Sequence, residues 1–413
     1  MLTRKFILSF LIGCLCLTVP AQQRELNYYI DQGLQKSPVL QDFQYQVQSR
    51  TADSLLIRAG QKPLVEGTSL LSYAPVINGR GYDAAITNGQ NIGAAVAVSQ
   101  PLFNGRILKG EYQRIGIERN RAGNSYDMTA MQLKHDITAQ YLIACGDQEF
   151  LQWNKGLAAL MKEEAGILKQ LVGQGQQSQA SFLGFQIEYQ SIERQVKESS
   201  IVYQRDLADL NIICGITDTG EISLKSPSFN IDSTIRGAGN PFLKQYFIDS
   251  MQISNSRLLV DNRYRPSVKW MADAGLLSSQ FSTIGKNFGM SAGLTFSVPL
   301  YDGHQKRIEY SKIDLEEKTR MKYLEFFLTQ RDQEIDRILK ELYATESTIT
   351  LYTSQKENTE QMLESARKLL NAGMMSITDY ILMIRNYREL SLTLNQARFK
   401  KLGLINDYNY IHW

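Results

Sequence analysis

The chain has 413 residues, 43% of them hydrophobic, which is enough for two or three ordinary domains. Lysine plus arginine number 45 against 42 aspartate plus glutamate, a net charge of +3 dispersed along the chain, so a polyanion binder is excluded and nucleic acid is not an expected partner. Mean hydropathy is −0.27, and beyond the N-terminus no apolar run approaches the roughly eighteen residues a spanning helix needs. Only nine prolines occur, about 2% against a usual ~5%. None falls in 102–226 or 300–413, and such stretches predict very long helices rather than a compact enzyme.

Residues 1–21 read as a secretory signal. Arg4 and Lys5 form its charged start, residues 6–19 its apolar centre, and Val19-Pro20-Ala21 a small-residue cleavage site. The competing reading is a lipid anchor on Cys14, because Leu11-Ile12-Gly13-Cys14 resembles a lipobox. Either one exports the chain. Cys14 and Cys16 belong to this leader; Cys145 and Cys214 remain, and two cysteines make no disulfide framework. Both lie in helical patterns and read as small packed hydrophobes.

Past the leader the sequence repeats itself. Pro101-Leu102-Phe103-Asn104-Gly105 recurs 198 residues later as Pro299-Leu300-Tyr301-Asp302-Gly303. The same shift carries Gly175-Gln176-Gln177-Ser178 onto Gly373-Met374-Met375-Ser376, and Phe182 onto Tyr380. Ser37-Pro38 pairs with Asn240-Pro241, and Lys62-Pro63 with Arg265-Pro266, both at a shift of 203. Only the segment between Pro63 and Pro101 differs in length from its counterpart, as one free loop on a rigid scaffold would. The chain therefore divides into a first repeat at 22–215, a Thr/Ser/Asp/Gly-rich connector at 216–239 and a second repeat at 240–413.

Each repeat opens with a capping residue followed by proline, a helix start leading into about twenty helical residues. Two extended segments follow. Val268, Trp270, Ala272, Ala274 and Leu276 alternate with Lys269, Met271, Asp273 and Gly275; Met290, Ala292, Leu294, Phe296 and Val298 alternate with Ser291, Gly293, Thr295 and Ser297. In the first repeat Ile92, Ala94, Val96 and Val98 alternate with Gly93, Ala95, Ala97 and Ser99. Period two over about ten residues, apolar on one face and small or polar on the other, suits a membrane β-strand or a hairpin on a soluble core.

After Gly105 and Gly303 the period turns helical, with Ile335, Ile338, Leu339 and Leu342 at i, i+3, i+4, i+7. Six glycines, at 110, 116, 123, 146, 156 and 166, weaken the pattern in the first repeat. Each long run reaches a glycine turn, then Phe182, Phe185, Tyr189, Ile192, Val196, Tyr203, Leu207 and Leu210, or Tyr380, Met383, Tyr387, Leu390, Leu394, Ile405 and Tyr408, recur at coiled-coil spacing. Arg194, Lys197, Glu198 and Arg205 read as a solvated face. Glu221-Ile222-Ser223-Leu224 reads as one short connector strand.

Four strands cannot close, and lipid does not tolerate two bare sheet edges. Strands in a membrane therefore require several copies, two giving eight strands and three giving twelve. No convergent polar chemistry supports an enzyme: His135, His304 and His412 are scattered, and no group has metal-ligand or nucleotide-loop spacing. No cofactor or metal is expected.

The doubled order of helix, strand pair with Pro-Leu-aromatic-Asn/Asp-Gly, long helix, glycine turn and second helix resembles the TolC-like outer-membrane efflux proteins over nearly all of residues 24–413. So does Leu26-Asn27-Tyr28-Tyr29-Ile30 leading into the first helix. Asn371-Ala372-Gly373, Ser376 and Asp379 match that family's periplasmic turn well, and Val172-Gly173-Gln174-Gly175 with Ser178 more loosely. The resemblance implies a mainly α chain with a membrane β portion: a homotrimer with a twelve-stranded barrel in outer-membrane lipid and a helical barrel in the periplasm. It implies a passive conduit partnered by a periplasmic membrane-fusion adaptor, which grips the turns at Gly173, Gly175, Ser178, Ala372, Gly373 and Ser376, and by an inner-membrane efflux transporter. Pro101, Gly105, Pro299 and Gly303 mark the strand-to-helix passages. Asp379 falls at a family position for an acidic gate, although Leu382, Ser181 and Gly184 stand where further acids are expected; a plain surface aspartate is the other reading of Asp379. Two alternatives stay open: a periplasmic coiled-coil adaptor, which would show one helical hairpin between β-rich halves, and the outer-membrane component of a protein-secretion system.

Overall fold

A computed structural model describes residues 23–83, 89–103, 105–218, 220, 222–231 and 240–412. The proposed leader with Cys14 and Cys16, and Asn104, Glu221 and residues 232–239, lie outside them. In chain order the elements are α1 Leu26–Lys36, α2 Pro38–Ala59, β1 Leu64–Tyr73, β2 Gln90–Leu102, α3 Gly105–Gly173, α4 Gln179–Ile213, α5 Pro241–Arg263, β3 Ser267–Ser278, a 3-10 turn Phe281–Lys286, β4 Phe288–Ser297, α6 Gln305–Asn371 and α7 Ile377–His412. They fall into two compact units, each drawing on both halves of the sequence.

One unit comprises Pro38–Met131 and Ile235–Glu334. Its strands form one antiparallel sheet in the order β1-β2-β3-β4, with Val65 opposite Val98, Val98 opposite Ala272 and Trp270 opposite Leu294. The edge strands β1 and β4 are exposed along their whole length. Asn240 caps α5, its side-chain oxygen accepting from the backbone N–H groups of Phe242 and Leu243 at 2.8 and 3.3 Å, with Pro241 in the first turn.

The other unit comprises residues up to Ser37, Gln132–Thr234 and Ile335–His412. Two helical hairpins, α3–α4 and α6–α7, pack around Met161, Leu168, Phe185, Ile192, Leu370, Ile377, Tyr380 and Ile384, each no more than 1% exposed. Burial of such side chains contributes roughly 1.5–3 kcal/mol apiece. Of the apolar positions at coiled-coil spacing in α4 and α7, all but Val196, Leu390 and Leu394 belong to this core or to the two smaller clusters of the same unit, while Arg194 and Glu198 pair in solvent.

The six glycines do not break α3, which is continuous. Two mark close approaches: a Cβ on Gly110 would stand 3.0 Å from Leu259 Cδ2, and one on Gly146 would stand 3.2 Å from the Phe399 ring. The helix is held there by packing that overrides the propensity deficit of about 1 kcal/mol per glycine. Of the connector strand expected at residues 221–224, the described residues 222–224 form no strand. Leu224 makes an isolated parallel bridge with Arg24, because side chains of α3 and α4 take up the neighbouring backbone groups: Tyr141 Oη donates to Arg24 and Lys225 carbonyls, and Gln148 both donates to and accepts from Leu224. Leu224 is buried with Tyr29, Ile137, Tyr141 and both free cysteines, whose thiols burial pushes up to about 12. They are packed small hydrophobes. Further along, Phe229 and Ile231 pack on Ile338, Leu342, Leu404 and Tyr408 of the second hairpin.

Candidate functional site

The register sorts the sheet into two unlike faces, since side chains directly opposite share a face. On one stand Val65, Leu71 and Tyr73 of β1, Ile92, Val96 and Val98 of β2, Val268, Trp270 and Leu276 of β3, and Phe288, Met290, Leu294 and Phe296 of β4. The four β4 side chains are 60–79% exposed, bare apolar surface that none of the described residues covers. Aromatic residues mark both ends of the band, Trp270 and Phe296 at the helix-joined end and Phe288 and Tyr73 at the other. From the Val268–Phe296 pair to the Leu276–Phe288 pair is eight residues, about 27 Å of strand and close to the ~25 Å apolar band of a membrane barrel.

The opposite face is mixed: Ser99, Ala97, Ala95 and Gly93 stand beside Lys269, Asp273 and Gly275, then Thr295, Gly293, Ser291 and Gly289, with Leu64, Leu70, Met271 and Leu277 as exposed apolar side chains towards its two ends. Glu66, Ala97, Asp273 and Ser291 lie on one row across all four strands, with the Ser291 hydroxyl on the Asp273 carboxylate. Lys269 stands four residues along β3, about 13 Å away.

The strand-to-helix passages are not conformational copies. In the first, Phe103 takes the left-handed conformation at φ +58° and Gly105 opens α3. In the second, Gly303 and His304 take it at +62° and +66°, and the Asp302 carboxylate accepts from the His304 and Lys306 backbone N–H groups. Pro101 lies within β2, one residue before its end and opposite Lys269, whereas Pro299 lies beyond β4.

The two helix turns are copies. Gly175 and Gly373 hold φ of +74° and +71°, and each turn closes the same pair of bonds: Gln176 to Leu171 and Gly175 to Val172, Met374 to Leu369 and Gly373 to Leu370, at 2.9–3.0 Å. Ser178 caps α4 by accepting from Ser181 N–H at 3.0 Å, and Ser376 accepts from Thr378 N–H at 3.2 Å. The turns touch: Gln177 Nε2 donates to the Met375 carbonyl at 3.1 Å. Gly173 ends α3 and Ala372 follows α6, both exposed. Asp379 is exposed in the first turn of α7, where the helix dipole favours a carboxylate. Leu382 is 58% exposed, an apolar side chain at the site of the expected second acid.

Buried acids tie the hairpins together, and coiled-coil spacing gave no sign of them. Glu164 of α3, 1% exposed, accepts from the Tyr380 hydroxyl of α7 and pairs with Arg367 Nε of α6 at 3.1 Å; burial raises its pKa against these two partners. Glu188 of α4 takes Arg385 Nε at 2.9 Å, with Arg388 at 3.8 Å. Asp147 of α3 is pushed up to about 7 by burial and by the neighbouring Asp206, which Arg205 holds below the usual carboxylate range. His135 meets Asp407 at 2.8 Å and Asp136 at 3.1 Å, and the Asp407 contact raises its pKa. Among the described residues no group of His, Cys, Asp and Glu could hold a metal, and no helix is long and apolar enough to cross a membrane.

One strand pair and one helical hairpin, doubled in one chain, give the fold of the TolC-like outer-membrane channels, not that of an adaptor with a single hairpin. The Campylobacter jejuni CmeC outer membrane channel superposes with a TM-score of 0.71 at 14% identity, over 94% of this chain and 85% of that one. The outer membrane protein VceC from Vibrio cholerae gives 0.71 at 14%, over 94% and 95%. The open state of the Neisseria gonorrhoeae MtrE outer membrane channel gives 0.74 at 11%, over 94% and 88%. At these identities the likeness is one of fold. No family model matches the chain, and no curated protein matches its sequence.

Proposed function

We infer that this chain is the outer-membrane channel of a tripartite efflux system, a passive conduit through which an inner-membrane transporter expels small molecules. The observation that carries the reading is the open four-stranded sheet with one bare apolar face framed by aromatics, a second face of mostly small and polar residues and two unpaired edges. Lipid would cover the apolar face, and β4 of one copy would pair with β1 of the next until three copies close twelve strands. The second face, with Glu66, Asp273 and Lys269, would then line the conduit, and the helices would stand in the periplasm. A periplasmic adaptor would dock on the turns at Gly173, Gly175, Ser178, Ala372, Gly373 and Ser376, and Asp379 would contribute three carboxylates at the narrow end.

Membrane fractionation with detergent extraction and sizing tests the reading. The expected product is an outer-membrane trimer that conducts ions in a planar bilayer. A monomer in the soluble periplasmic fraction would overturn it.

A further inference from the structure

In the unit of the two hairpins, α3 and α7 run antiparallel. His135 of α3 meets Asp407 of α7 at 2.8 Å, and Asn406 Nδ2 donates to the His135 carbonyl at 3.0 Å. Eleven residues further along α3, Asn395 Nδ2 donates to the Gly146 carbonyl at 2.9 Å, and the Phe399 ring lies against Gly146. An open groove of about 470 Å³ runs past these contacts, from Ala139 to Phe150 on α3 and from Leu392 to Asp407 on α7. The α3 side is about 16 Å long, and the volume falls in the roughly 300–1,000 Å³ range of small-molecule sites. Ile143, Phe150, Leu392 and Phe399 supply apolar walls. Gly403 borders the groove as well, and a Cβ there would meet nothing within 4 Å.

The charges around the groove leave one acid without a cation. Asp147, Asp407 and Lys400 border it. Lys400 Nζ is held by Glu341 of α6 at 2.7 Å, and Asp407 has His135. Arg205 of α4 gives Nε and Nη2 to the two oxygens of Asp206 at 2.7 and 3.1 Å. Asp147 lies beside that same Asp206, and its own Oδ2 meets no donor among the described residues. A half-buried carboxyl beside a carboxylate is costly to ionise unless a cation joins the pair.

We propose that this groove binds an amphipathic organic cation, its flat apolar body on Phe150 and Phe399 and its ammonium on the Asp147 carboxylate. The walls take the body out of water, and the two rings add cation–π attraction. An anion would face acids there, and a neutral body of the same shape would leave Asp147 unpaired. The site lies within the one unit, so it stands apart from the channel reading and from the number of copies that assemble.

Fluorescence anisotropy of proflavine, a planar cation, with the full chain in neutral detergent tests the site. Saturable binding is expected, with acridine, its neutral analogue at about pH 8, about tenfold weaker. Asp147→Asn keeps the shape of the site and should weaken proflavine by about the same factor. Gly403→Leu fills the groove and should abolish binding while the helical circular-dichroism signal is unchanged. Proflavine must displace the proton that Asp147 holds, so parent binding should tighten by up to about tenfold from about pH 6 to about pH 8. The charged groups around the groove are His135 of α3, Arg205 and Asp206 of α4, and Lys400 and Asp407 of α7. Loss of the His135 charge on the way up also favours a cation, so the tightening should shrink rather than vanish in Asp147→Asn. No saturable binding by the parent, or equal affinity for proflavine and acridine, would overturn the proposal. Full affinity in Asp147→Asn would overturn the placing of the ammonium, and full affinity in Gly403→Leu the placing of the body.

Discussion

Gly175 and Gly373 hold nearly the same φ and close the same two helix-terminal bonds, while seven residues beyond each of them the copies part: Phe182 in the first and Tyr380 in the second. Tyr380 donates to buried Glu164, but the position one repeat length beyond Glu164 is Met362, so the first copy has neither the hydroxyl nor its acceptor. Duplication preserved what the backbone must do to reverse a helix. The side chains that tie one hairpin to the other appear once, because in a folded pair of copies each tie needs only one donor and one acceptor.

The largest effect on this contrast comes from making the second copy like the first. Tyr380→Phe leaves a carboxyl group 1% exposed without its hydroxyl donor and should cost about 2 kcal/mol, read as a lower melting temperature of the helical circular-dichroism signal. The reverse change, Phe182→Tyr, adds an unmatched hydroxyl to the core and should cost about 1 kcal/mol. An unchanged melt in Tyr380→Phe would mean that the tie is idle.

Protons should act on the same hairpins. Asp147, Glu164 and His135 all have folded pKa values raised above their ordinary ones, so the folded state holds protons the unfolded chain releases. The associated stability is complete below the ordinary pKa of each group and is lost as pH climbs through the folded value, for Asp147 between about 4 and about 7. Discounted for screening at Asp147, which is partly exposed, its share is about 1–2 kcal/mol. Thermal melts should therefore rise from about pH 8 to about pH 6, and Asp147→Asn should flatten the slope.

The turn glycines probe the shared part. Gly175→Ala and Gly373→Ala each force a Cβ into the left-handed region and should cost about 1 kcal/mol, nearly equally. A twofold difference in the loss would show that the turns are not energetic equivalents.

The smallest expected effect is on conduction. Asp379→Asn in the reconstituted channel should lower cation preference modestly, and Ser181→Asp, which gives the first copy the acid it lacks, should raise it. Identical reversal potentials in both variants would remove Asp379 from the gate.

Much of this was legible because backbone geometry leaves marks in sequence. Proline at residues 38 and 241, glycine at 175 and 373 and the period-two runs located α2, α5, the turns and the strands β2, β3 and β4, while β1 shows no such alternation. Glycine within α3 misled, since propensity weighs residues singly, and Gly110 and Gly146 serve neighbours more than a hundred residues away. Leu339, placed in an apolar stripe, is 39% exposed. The buried acids Glu164 and Glu188 were invisible to periodicity, which counts apolar positions and reads every charge as solvent. Finding them takes the partner helix, and that is a tertiary fact.

The connector has one more consequence. Leu224 sits in the core of the first hairpin and Phe229 against the second, five residues apart, a reach of at most ~18 Å. A chain built from two similar halves, crowded beside its own copies, is exposed to exchanging halves with a neighbour. Seated in the first hairpin through Leu224, so short a segment can offer Phe229 only to a second hairpin lying within that reach, which favours the sister hairpin already in place.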